Sequence, residues 1–237
     1  MHDNTTTKTN TPASGGEASV LASLRGIMPA RRLRLSEALL LAELQADRLL
    51  RLRHVTDIPV PVAVVTGLPK ITVDRDPDLP RHAASGSSDW DSRRRAWVIS
   101  VNPEEPLTRQ RFTVLHEYKH IIDHYHPGLG GYLPGTVYGL APVEYVAEYF
   151  AGCVLMPKRW LKAAFGSGIQ HPAELAELFD VSARAIEVRL CQIGLTAPDE
   201  RAPEIPRYRL QVRPRPRRYY RPFSLNWTPA AAEEVAA

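Results

Sequence analysis

Only two cysteines occur in 237 residues, Cys153 and Cys191, and they are too far apart to form a C-x-x-C pair. That scarcity excludes a disulfide framework or a cysteine-built metal site and predicts buried thiols in a reducing compartment. Long apolar runs are missing too. The longest, at 38–42 and 58–65, fall far short of a membrane span, so no membrane partner is expected. The opening M-H-D-N-T-T-T-K-T-N has no apolar core, so no secretory signal is visible and the cytoplasm is the expected location. Most of the chain also lacks excess positive charge. The net +4 conceals eight arginines against one glutamate between Arg201 and Arg221, a local +7 that leaves −3 for the rest. The body of the protein is therefore no general polyanion binder, and any such role belongs to that stretch.

What is present suits a globular protein. At 44% hydrophobic and 24% charged residues, the chain can bury a core in one domain with tails. Residues 1–18, rich in Thr, Ser, Asn and Gly, read as a disordered segment, and 199–237 as a Pro/Arg-rich tail. The domain between them, 19–198, is expected to be α+β, with a small mostly antiparallel sheet. Ser36 is the expected N-cap of a helix to about Arg53, with Leu39, Leu40, Leu44 and Leu50 as its buried stripe. Strands are expected at 58–65, 70–74 and 96–102, and a loop at 84–92. The pattern in 171–195 resembles a helix–turn–helix, with Leu175, Phe179, Val181, Ile186 and Leu190 as internal contacts.

Chemistry concentrates at 116–120, H-E-Y-K-H. On a helix from about Thr108 to Tyr125, positions i and i+4 stack, so His116 and His120 can grip one metal ion. Glu117 then stands beside the metal-bound water as a general base. At about 100° per residue, His116, His120, Thr113, His124 and Glu117 share one arc, and Val114, Leu115, Tyr118, Ile121 and Ile122 oppose it. Such a motif arises by chance in a chain of this composition with a probability of roughly 2%, so composition alone does not account for it.

A catalytic zinc needs a third protein ligand. His126 would mimic an extended three-histidine motif, but Asp123 stands where that motif needs a glycine to break the helix. Glu144, on a second helix from about Pro142 to Met156, is the preferred ligand, because Ala147 and Ala151 let that helix come close. Glu148, one turn on, is a candidate to support a ligand histidine from behind, as is His124. Tyr132, Tyr138, Tyr145 and Tyr149 are candidates to stabilise an oxyanion.

Two segments together carry a family resemblance. R-Q-R-F-T-V-L-H-E-Y-K-H-I-I-D-H at 109–124 and V-E-Y-V-A-E-Y-F-A-G-C-V-L-M-P at 143–157 resemble the ImmA/IrrE metallopeptidases over about residues 35–195. The resemblance implies a zincin-like fold, Zn²⁺ held by His116, His120 and Glu144, Glu117 as base, and a repressor or antitoxin-like protein as substrate. Lys119 replaces the family's usual glycine and Glu148 its usual Asn or Asp. Lys119 is expected to point away from the ligand arc and to be tolerated, with a helix packed tightly there either shifting or letting the lysine snorkel.

A second reading is a DNA-binding regulator. Arg184 and Arg189 would form the basic face of its recognition helix, and the stretch 201–221 would engage nucleic acid or an acidic partner. For an enzyme, the strand from Trp97 to Asn102 is a candidate to bind extended substrate by strand addition.

Overall fold

The computed structural model describes residues 19–79, 85–124, 132 and 140–197. Among these, eight helices surround one three-stranded sheet, an α+β arrangement as expected. In chain order the elements are α1 (Ser19–Arg25), α2 (Leu35–Leu52), α3 (Ala63–Thr66), β1 (Ile71–Arg75), β2 (Gly86–Asp91) and β3 (Ala96–Val101). Then follow α4 (Leu107–Asp123), α5 (Pro142–Leu155), α6 (Lys158–Gly166), α7 (Pro172–Phe179) and α8 (Ala183–Gln192). The 1–18 and 199–237 segments lie outside the described residues. None of the described helices is long and apolar enough to cross a membrane.

β3 occupies the centre of the sheet, parallel to β1 and antiparallel to β2, so the sheet is mixed rather than mostly antiparallel. Its Trp97, Ile99 and Val101 are buried, as alternation predicted. The expected loop at 84–92 is instead mostly strand β2. Its Ser-Ser-Asp sequence carries no apolar alternation, and its pairing is supplied by the backbone of β3. The expected strand at 58–65 is instead a turn leading into α3. Pro59 and Pro61 remove two backbone donors that a ladder would need, while Val60, Val62, Val64 and Val65 still enter the core.

α2 begins at Leu35. Its first turn is held by Glu37, whose carboxylate accepts the Arg34 backbone N–H at 2.9 Å, so Ser36 lies inside the helix rather than capping it. The buried face is Ala38, Leu41, Ala42, Gln45, Ala46, Leu49 and Leu50. Leu40 and Leu44 are 59% and 49% exposed, contrary to the leucine stripe. Alanines and leucines share that buried face, and α2 packs against α5.

The α7–α8 lobe is tied to α4. Arg111, buried on α4, donates to the Val60 carbonyl at 2.6 Å and to the backbone and side chain of Asp180 in the α7–α8 turn. Leu175, Phe179, Val181, Ile186 and Leu190 are all buried, as the helix–turn–helix pattern required. Both cysteines are free thiols. Cys153 is buried, which pushes its pKa up to about 12, while Cys191 is half-buried.

Candidate metal centre

α4 and α5 pack face to face and bring three side chains to one point. α4 follows Pro106, whose fixed φ suits the entry to a helix, and Pro142 opens α5 at its first position. The opposite face of α4 is sealed by Val114, Leu115, Tyr118, Ile121 and Ile122, which fixes the rotation of His116 and His120 toward α5. Alanines at 147 and 151 are fully buried on α5, in keeping with the close approach expected of it.

The Nε2 atoms of His116 and His120 lie 3.0 Å apart. Oε2 of Glu144 is 3.3 Å from the first and 3.5 Å from the second. Bonds of about 2.0–2.1 Å in a tetrahedral zinc site place neighbouring ligand atoms roughly 3.3 Å apart. The triangle therefore has the size for one such ion, and its two imidazole nitrogens and one carboxylate oxygen are donors that such an ion takes. Glu144, His116 and His120 are each only partly buried, leaving a side from which water and substrate can enter.

Charge is tuned accordingly. Burial alone pushes the Glu144 carboxyl up, but hydrogen bonds from His116 and His120 outweigh it and hold the pKa at about 2. Burial disfavours the charged form of His120. The hydrogen bond His120 donates to Glu144 and the carboxylates of Glu117, Glu144 and Asp123 more than offset this, raising its pKa above the ordinary value.

Glu117 is buried, 4% exposed, and close enough to act electrostatically on His120. β2 crosses directly above it. A Cβ on Gly86 would lie 2.4 Å from Cγ2 of Thr113 and 3.4 Å from Cγ of Glu117, so glycine lets the strand approach. Nothing in the sequence pattern marked Gly86, because the contact joins elements nearly thirty residues apart.

Other candidates fall elsewhere. His124 ends α4 with its ring edge-on to Trp97, centroids 4.8 Å apart, and does not join the triangle. Glu148 stands on the same side of α5 as Glu144 but makes no hydrogen bond to either histidine ring; burial raises its pKa. Tyr149 donates to Glu43 at 2.6 Å and Tyr132 to Asp123 at 2.6 Å, so both hydroxyls serve other partners. Tyr145 remains half-buried beside Glu144. Tyr138 and His126 lie outside the described residues.

Lys119 does point away from the triangle, but it does not reach water. It is fully buried, its amine 2.5 Å from Asp123 and 3.1 Å from the Tyr132 hydroxyl. A buried ammonium costs several kcal/mol unless paired, and the neighbouring carboxylate one helical turn on supplies the pair. Arg189 is also buried, donating to the Met156 carbonyl at 3.3 Å and to Gln192, and Arg184 is paired with Glu187 at 3.0 Å. The basic face expected for reading a duplex is thus missing from α8.

A family model described as the IrrE N-terminal-like domain of the M78 peptidases matches residues 73–191. A comparison with curated proteins gives no match. The matched half of the chain contains β2, β3, the H-E-x-x-H helix and Glu144, and the protein belongs to the M78 metallopeptidase family.

Proposed function

We propose that this protein is a zinc-dependent endopeptidase that cleaves a regulatory protein, a repressor or antitoxin, in the cytoplasm. The observation that carries the reading is the triangle of His116, His120 and Glu144, with Glu117 buried against it. A bound Zn²⁺ supplies Lewis acidity toward a water molecule and the scissile carbonyl. Glu117 accepts the proton of the attacking water and passes it to the leaving amine. Gly86 excludes bulk above that carboxylate, and the sealed face of α4 holds the two histidines in register.

Strand addition moves from β3 to β2. β3 has a neighbour on each side and cannot accept a third strand, which corrects the expectation for 97–102. Among the described residues nothing pairs with the outer edge of β2, and β2 lies over Glu117. An extended peptide pairing there would cross the centre, with main-chain hydrogen bonds providing affinity.

The test uses the full chain and a co-encoded regulator as substrate. Metal analysis should find about one zinc per chain. Glu117→Gln should retain that zinc while hydrolysis falls by about 10²–10⁴. Zinc-free protein, or a Glu117→Gln enzyme that still cleaves, would overturn the reading.

The stretch 201–221 carries the second reading, contact with nucleic acid or an acidic partner, resting on its eight arginines interleaved with tyrosine. It predicts salt-sensitive binding to nucleic acid, lost when 201–237 is deleted and indifferent to Glu117→Gln.

A further inference from the structure

A cavity of about 460 Å³ opens beside the metal centre, between the first turns of α4, the later turns of α5 and the α7–α8 lobe. That volume is in the range of ligand pockets, about 300–1,000 Å³. Two of its lining residues continue the ligand-bearing faces. Phe112 lies one turn before His116 on α4, and Glu148 one turn after Glu144 on α5. A polypeptide held at the triangle would direct a side chain next to the scissile bond into this space.

Most of the wall is apolar, including Phe112, Met156, Val181, Ala185 and Val188. Five charged side chains also line it: Glu105, Arg109, Glu148, Arg184 and Arg189. Each base among them has an acid nearby. Arg109 is 3.9 Å from Glu105, Arg184 is 3.0 Å from Glu187, and Arg189 is 3.9 Å from Glu43. Glu148 differs from the other four. Among the described residues its carboxylate has no hydrogen bond and no ion pair within 4 Å; burial and the nearby Glu144 disfavour its charge, and His116 and Arg109 favour it only through space. It is half-buried without being sealed, so its oxygens can meet a group entering the cavity. An apolar channel with one uncompensated carboxylate suits a side chain with a long methylene stem and a cationic head.

We propose that this cavity binds the substrate side chain adjoining the scissile bond, and that Glu148 selects lysine or arginine there. The inference rests on the peptidase reading above, and its test separates the two. Zinc-loaded full-length protein is incubated with a mixed-sequence peptide library, and cleavage sites are read by mass spectrometry. Lysine and arginine should be enriched at one fixed position by about tenfold, the scale of one charge-assisted hydrogen bond. Glu148→Gln should bring that enrichment close to parity with zinc still bound. Glu148→Lys should shift the preference toward acidic residues.

Cleavage without a basic preference, or a preference unchanged by Glu148→Gln, overturns the proposal and leaves the peptidase reading standing. Loss of zinc in Glu148→Gln also overturns it, since that result assigns Glu148 to orienting His116 instead. If the wild type cleaves nothing, the peptidase reading fails in this assay and binding decides the inference. Glu117→Gln protein is then titrated with an acetylated hexapeptide carrying one arginine and with its citrulline counterpart. The arginine peptide should bind about tenfold tighter, an advantage lost in Glu148→Gln. Equal affinity for the two peptides refutes the proposal.

Discussion

Helix α4 buries polar side chains on two faces, and the two faces treat them differently. On the side toward α5, His116 and His120 turn their Nε2 atoms to within 3.0 Å of each other, with Glu144 closing the triangle. Two nitrogen lone pairs and a carboxylate converging in this way suit a cation more than they suit one another. On the flank of the helix, Lys119 is just as polar and more deeply buried, yet Asp123 and Tyr132 meet it directly. Polarity retained for structure brings its own partners. Polarity retained for a metal is left incomplete by the protein itself.

The strongest way to break this contrast is to remove the ligands. His116→Ala together with His120→Ala should drop bound metal from about one ion per chain to near none, and hydrolysis with it. The metal-free double variant should still fold, because both rings are partly exposed. Metal analysis and circular dichroism on the same samples check this. A double variant that fails to fold would show that the ligand face, too, is structural.

The next largest effect belongs to the Lys119 flank. Asp123→Asn leaves the Lys119 ammonium buried without its counter-charge, which should cost about 3–5 kcal/mol of stability. Adding Lys119→Met should recover most of that loss, since two neutral side chains need no ion pair. Urea unfolding of the single and double variants measures the coupling. Zinc binding by the folded fraction should survive both, which would sharpen the distinction between the faces of α4.

What the sequence disclosed follows the range of the interaction. His116, Glu117 and His120 are related by helical spacing alone, and so are the five residues inside the α7–α8 lobe; both were legible. Glu144 required a judgement about two helices meeting, and the alanines of α5 supplied it. The direction of Lys119 was legible but its burial was not: its partner is local, whereas the seal depends on residues as distant as Tyr132. The stripe of α2 failed for a related reason. A leucine count favours Leu40 and Leu44, whereas the buried face takes Ala38, Ala42 and Ala46 beside Leu41, Leu49 and Leu50. β2 is polar apart from Trp90 and finds its backbone partner in β3. Arg189 looked like a surface base until the fold placed Glu43, Met156 and Gln192 around it.

The smallest effect is the one that depends on pH. In the metal-free protein, Glu144 has its pKa lowered from 4.5 to about 2, and His120 has its own raised above 6.5. A depressed carboxyl contributes stability that is present above pH 4.5 and lost as pH falls through about 2. A raised imidazole contributes stability that is present below pH 6.5 and lost as pH rises through its folded value. Both contributions are fully present between pH 4.5 and 6.5, where the triangle holds itself together most strongly by charge. Glu144→Gln should therefore destabilise the chelated protein most inside that window and progressively less on either side. Urea unfolding of both proteins across the range measures the difference. A flat difference curve for Glu144→Gln would mean that the empty triangle is held by packing alone, and the two faces of α4 would then differ less than their geometry indicates.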